Sequence, residues 1–159
     1  MKLSTREMAR AAVIAAAYAA LSMISSFFGL AYGPVQLRLS EALTVLPKKY
    51  PSAIWGVFLG CLLTNILSPY GLLDMILGSA ATLLAALLTA RCRTRIGAAI
   101  PPIVCNALII GALLAWQESG GSAAFTTLFA YHALSVGAGQ AVACFLLGVP
   151  LMRLLARKK

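Results

Sequence analysis

Apolar runs of membrane-crossing length recur along this chain, and its basic residues gather at their ends. A helix needs about 20 residues to cross the hydrocarbon core of a bilayer. Residues 8–28, 72–90 and 96–116 meet that length, and 124–155 exceeds it. Residues 52–67 form a more modest run between Pro51 and Pro69. Residues 35–46, between Pro34 and Pro47, form a run that looks too short. Backbone groups in lipid must satisfy their own hydrogen bonds, so each run is predicted to be helical. The 159 residues are 61% hydrophobic and 11% charged, too little polar surface to cover a soluble domain.

The distribution of charge sets the topology. Lys2, Arg6 and Arg10 lie at the start of the first run, and Lys48 and Lys49 follow the short one. Arg91, Arg93 and Arg95 follow the fourth run, and Arg153, Arg157, Lys158 and Lys159 close the chain. The alternate connections, 32–36, 68–72 and 117–123, contain no Lys or Arg. Counting the short run as a crossing puts every basic cluster on one side, the cytoplasmic side by the positive-inside rule. Omitting it splits the arginine loop from the C-terminal cluster. The expectation is an all-α, polytopic integral membrane bundle of six transmembrane helices, the second short, in one domain over 1–159. It sits in the cell membrane with both termini cytoplasmic. The short helix must tilt, sit in thinned bilayer or be sheltered by its neighbours. The first run is read as a retained span rather than a signal peptide, because no clear polar mature domain follows it. The net charge of +9 is spent on these clusters, which leaves no long basic patch for nucleic acid.

Several functional classes lack their residues. There is no GxxxxGK[ST] loop, no HExxH, no GxSxG and no CxxC. Cys61, Cys92, Cys105 and Cys144 are scattered, and His132 is the only histidine. No cofactor, metal or enzymatic activity is expected, and ATP hydrolysis would need a partner.

Polar residues inside the apolar runs are the candidates for a site. Glu41 and Asp74 are acids in runs where a charge costs roughly 2.5–3.5 kcal/mol at mid-membrane. Arg38 and Glu41 stand at i,i+3, a spacing at which they can pair. Such a pair either fastens the short helix or belongs to a polar pocket opening outward. In that pocket Glu41 or Asp74 would accept a ligand's N–H groups. Gln36, Asn65 and Tyr70 fall near the same level. His132 and Gln140 are eight apart, roughly on one face of the last helix. Asn106 and Gln140 are the deepest of these polar groups. Trp116 belongs either to an interfacial aromatic belt or to a stack on a planar ligand. Phe27, Phe28 and Tyr32 flank the first outer connection, as a belt or a lid. In "ARAAVIAAAYAAL" two alanine rows repeat at i+4: Ala11, Ala15 and Ala19, and Ala12, Ala16 and Ala20. Each makes a smooth strip, for packing within the chain or for docking a second subunit.

The runs "YGPVQLRLSEALTVLP" and "SPYGLLDMILGSAATLLAA" resemble the queuosine-precursor transporter family (QueT-type proteins), and the resemblance covers nearly the whole chain. It implies a substrate-binding S component of an energy-coupling factor (ECF) transporter. It also implies partners: a transmembrane coupling subunit, docked on the alanine face of the first helix, and two ATPase subunits. The implied substrate is a small molecule, a queuosine precursor of the 7-deazaguanine type. Such a base presents a ring N–H beside an exocyclic amine, which one carboxylate can accept in parallel. The alternatives are an S component for another vitamin or nucleobase, or a membrane scaffold without transport activity.

Overall fold

In the computed structural model, which describes residues 4–31, 36–66, 68 and 71–157, the chain is helical, with no strand among the described residues. Helix α1 (Thr5–Phe27) begins where Ser4 and Glu7 cap each other. The Glu7 amide donates to Ser4 Oγ at 3.4 Å, and the Ser4 amide donates to the Glu7 carboxylate at 2.9 Å. This reciprocal arrangement satisfies two otherwise orphaned donors.

The short run becomes a 3-10 helix, Leu39–Lys48, ten residues long. It starts four residues later than the sequence suggests. Arg38 precedes it in an extended conformation, φ −102 and ψ 112. A 3-10 helix rises about 2.0 Å per residue against about 1.5 Å for an α-helix. Ten residues therefore reach about 20 Å rather than about 15 Å. The segment gains length by stretching, and it is sheltered. Every residue from Ser40 to Pro47 is buried, Val45 completely. Shelter by neighbours, one of the three expected solutions, is present in the fold.

The remaining elements are α2 (Ala53–Asn65), α3 (Gly71–Arg91), a 3-10 turn (Gly97–Ala99) leading into α4 (Ile100–Ser119), and α5 (Phe125–Val142). Pro101 and Pro102 fall in the first turn of α4, where a missing N–H costs nothing. Gly120, at φ 58, closes α4 in the left-handed region. A π-helical stretch, Ala143–Gly148, joins α5 to α6 (Val149–Arg157) without a break. Pro150 follows at once, and its ring crowds the carbonyl four residues back. The widened π turn accommodates that crowding. Four of these helical runs are long and apolar enough to cross a membrane: Thr5–Phe27, Gly71–Arg91, Gly97–Ser119 and Phe125–Arg157. The 3-10 helix and α2 complete the six.

Small residues let the helices approach. A Cβ added at Gly60 of α2 would lie 2.7 Å from Tyr18 Cβ, and one at Gly56 2.8 Å from the Ala11 carbonyl. One at Gly148 would lie 2.9 Å from the Ala42 carbonyl. The π stretch thus seats directly on the 3-10 helix. These contacts carry a core built from Tyr18, Leu43, Val45, Val57, Cys61 and Cys144 among others. They suit a bundle in which van der Waals packing replaces the hydrophobic effect as the force between helices.

Candidate binding site

The 3-10 helix carries Glu41 into the middle of the bundle, where it is 4% exposed. A buried carboxylate is costly unless its oxygens are hydrogen-bonded. Three donors from three helices meet it. Tyr18 Oη of α1 donates to Oε1 at 2.5 Å. Gln140 Nε2 of α5 and Asn106 Nδ2 of α4 donate to Oε2, at 2.8 and 3.4 Å.

A second acid lies nearby in the fold. Asp74, in the first turn of α3, is 1% exposed. Its Oδ2 accepts from Ser68 Oγ at 2.5 Å and faces Arg38 Nη2 at 4.0 Å. Asn65 at the end of α2 braces this turn, donating to the Asp74 carbonyl at 3.2 Å. Arg38 is therefore directed to Asp74, a partner 36 residues away in sequence, and Glu41 is served by neutral donors. Arg38 is the N-cap of the 3-10 helix: its carbonyl accepts the Glu41 amide at 3.1 Å, and its backbone is extended there, with the guanidinium facing Asp74.

Beside Glu41 is a small cavity with about 20 Å³ of room for water. Gln36, Arg38 and Glu41 line it from the segment around the start of the 3-10 helix, and Cys61 from α2. Gly78 and Thr82 of α3, Asn106 and Ile110 of α4, and Val136 and Gln140 of α5 complete the wall. Thr82 Oγ1 and Asn65 Nδ2 both point at Cys61 Sγ, at 3.3 and 3.4 Å. The Gln36–Leu37 backbone crosses α5 at Gly139, where any Cβ would overlap the Gln36 carbonyl oxygen.

Of the residues singled out from sequence, Gln36, Arg38, Glu41 and Gln140 meet at this cavity, and Asn65 and Asp74 brace its edge. Trp116 and His132 lie elsewhere. Trp116 is 59% exposed and lines an apolar groove with Leu73, Leu77 and Phe125. His132 bonds Glu118 at 2.7 Å in another recess, with Leu114 and Gln117. Tyr70, like Tyr32, is outside the described residues. Tyr18 and Thr82 were not foreseen. A single tyrosine in an alanine-rich run carries no charge or spacing to mark it. Asn106 was visible as a polar residue mid-span, one of the two deepest with Gln140. It and Gln140 are the two amides that hold Glu41.

The alanine rows separate. Ala11 and Ala15 are buried and Ala19 half-buried, against the glycines of α2. Ala12, Ala16 and Ala20, about 100° further round α1, are exposed. Among the described residues no three His, Cys, Asp or Glu side chains converge as metal ligands would.

Residues 8–157 match the family described as QueT transporter. The chain belongs to that family. The queuosine precursor transporter QueT of Lactococcus lactis subsp. cremoris (strain MG1363) is 36% identical over 85 residues, 52% of this chain and 48% of that protein. The match thus spans about half the relative's length. No solved structure matches the chain. Membership of the QueT family and the four long apolar helices together identify a multi-pass membrane protein. For this QueT-family chain, a buried carboxylate hydrogen-bonded by three neutral donors in the bundle interior is the chemically distinctive feature.

Proposed function

We propose that this chain is the substrate-binding S component of an ECF transporter and takes up a queuosine precursor, a 7-deazaguanine-type base. The observation that carries the proposal is Glu41: a buried carboxylate whose Oε2 is held by two amide side chains. Those amides can swing away and offer their carbonyls, while the carboxylate accepts the ring N–H and exocyclic amine of the base. Tyr18 keeps the other oxygen fixed throughout. An aminomethyl substituent would bring a cation, for which Asp74 is the second carboxylate. The family match and the name of the lactococcal relative support this substrate class.

The cavity has room for about one water. Entry of a bicyclic base then requires the Gln36–Arg38 segment to lift from Gly139 and to close again over the base. The exposed row Ala12, Ala16 and Ala20 is the docking face for the transmembrane coupling subunit, which brings two ATPase subunits. Both termini face the cytoplasm, on the side of the basic clusters. The chain itself is a binding subunit and no enzyme.

A thermal-stability titration of the purified protein tests the substrate. A deazaguanine precursor at 100 times Kd should stabilise it by about 2.7 kcal/mol. Biotin, thiamine and riboflavin at equal concentration should have no effect. Stabilisation by a vitamin alone would transfer the chain to another S-component specificity. No stabilisation by any of them would favour a scaffold and end the transport reading.

A further inference from the structure

At the far end of the bundle from Glu118 is a recess of about 350 Å³, lined by Lys48, Lys49, Arg95, Met152 and Ala156. By the same measure it is far larger than the cavity at Glu41, at about 20 Å³. Lys48 and Lys49 end the 3-10 helix, Arg95 lies in the turn before α4, and Met152 and Ala156 are on α6. Three cations share this recess with no carboxylate. The sequence has only four Asp and Glu residues, and each is engaged elsewhere. Glu7 caps Ser4, Glu41 holds Tyr18 and two amides, Asp74 holds Ser68 and Arg38, and Glu118 holds His132. Lys49 is anchored by the Leu155 carbonyl and lies 5.0 Å from the Tyr50 ring centre. Neither the Lys48 nor the Arg95 side chain makes a hydrogen bond or ion pair with another described residue, and Lys48 is half-buried.

We propose that this recess binds the phosphate of an anionic phospholipid headgroup. Converging cations with unused donors suit a phosphate, whose oxygens accept several charge-assisted bonds at once. The apolar wall of Met152 and Ala156 suits the glycerol and first methylenes of a lipid. The recess also lies at the end of apolar helices, at the level where headgroups sit. Basic pockets between membrane helices bind such headgroups on the cytoplasmic side.

Native mass spectrometry of the delipidated full chain in detergent tests this, with phosphatidylglycerol, phosphatidylcholine and inorganic phosphate as probes. Phosphatidylglycerol should bind in preference to phosphatidylcholine, and millimolar phosphate should not displace it. Each cation removed should weaken phosphatidylglycerol about fivefold, so the Lys48→Gln/Arg95→Gln double variant should lose about 25-fold. The control Arg6→Gln/Arg93→Gln removes equal charge from the same end outside the recess and should stay within about twofold of wild type. Melting in phosphatidylcholine confirms that both variants fold. Equal binding of the two lipids would overturn the proposal. So would equal losses in the two double variants, which would mean diffuse attraction. Full displacement by inorganic phosphate would overturn the lipid assignment in favour of a free-anion site.

Discussion

Glu41 is tolerable in the bundle interior only because Tyr18, Gln140 and Asn106 surround its carboxylate. Removing one such donor exposes the cost. Tyr18→Phe leaves Oε1 without the 2.5 Å bond and should lower stability by about 1.5–3 kcal/mol, the range for bonds to charged groups. Denaturation in a mild detergent would measure it, and an unchanged midpoint would contradict the role. The two amides should differ. Gln140 bonds at 2.8 Å and Asn106 at 3.4 Å, so Gln140→Ala should weaken ligand binding more than Asn106→Ala. Equal losses, or the reverse order, would show that bond length in this state does not rank them. At this scale the sequence was informative about acids and amides, because polar atoms in apolar runs stand out. It was silent about Tyr18, since a tyrosine in a membrane helix is ordinary. It did not show that Arg38, the N-cap of the 3-10 helix, faces Asp74 at 4.0 Å as well as lining the cavity at Glu41.

Among the elements, the 3-10 helix decides the geometry. Its length was legible as a deficit, and its burial follows from that deficit. What could not be read was the pitch, because a segment buried from Ser40 to Pro47 has no exposed face whose period would separate 3-10 from α. The seat of the preceding segment on α5 offers a sharp test. Gly139→Ala places a methyl on the Gln36 carbonyl, whereas Gly137→Ala meets only Ala107 Cβ at 3.4 Å. The first should displace the 36–38 segment, costing about 1–3 kcal/mol as overpacking does, with at least a roughly tenfold loss of affinity. The second should be close to wild type. Titration calorimetry of the two variants reads the difference, and matching affinities would show that the segment does not shape the site.

For the whole molecule, the six-run pattern and its basic flanks were the most legible feature, since bilayer thickness imposes it on any chain of this composition. The two alanine rows were visible too, but only packing tells them apart. Ala15→Leu intrudes on α2 and should destabilise the fold by about 1–3 kcal/mol. Ala16→Leu lies on the exposed side of α1, and should leave stability and ligand binding intact while abolishing pull-down of the coupling subunit. Intact pull-down with Ala16→Leu would remove that face from the transport cycle. Under the proposed function, Glu41 is above all the ligand's acceptor. Calorimetric titration of the purified wild type and of Glu41→Gln with a 7-deazaguanine precursor tests it most directly. Saturable binding by wild type, weakened at least about 30-fold in a Glu41→Gln variant that still melts cooperatively, is the expected result. Equal affinity in the two proteins would contradict it.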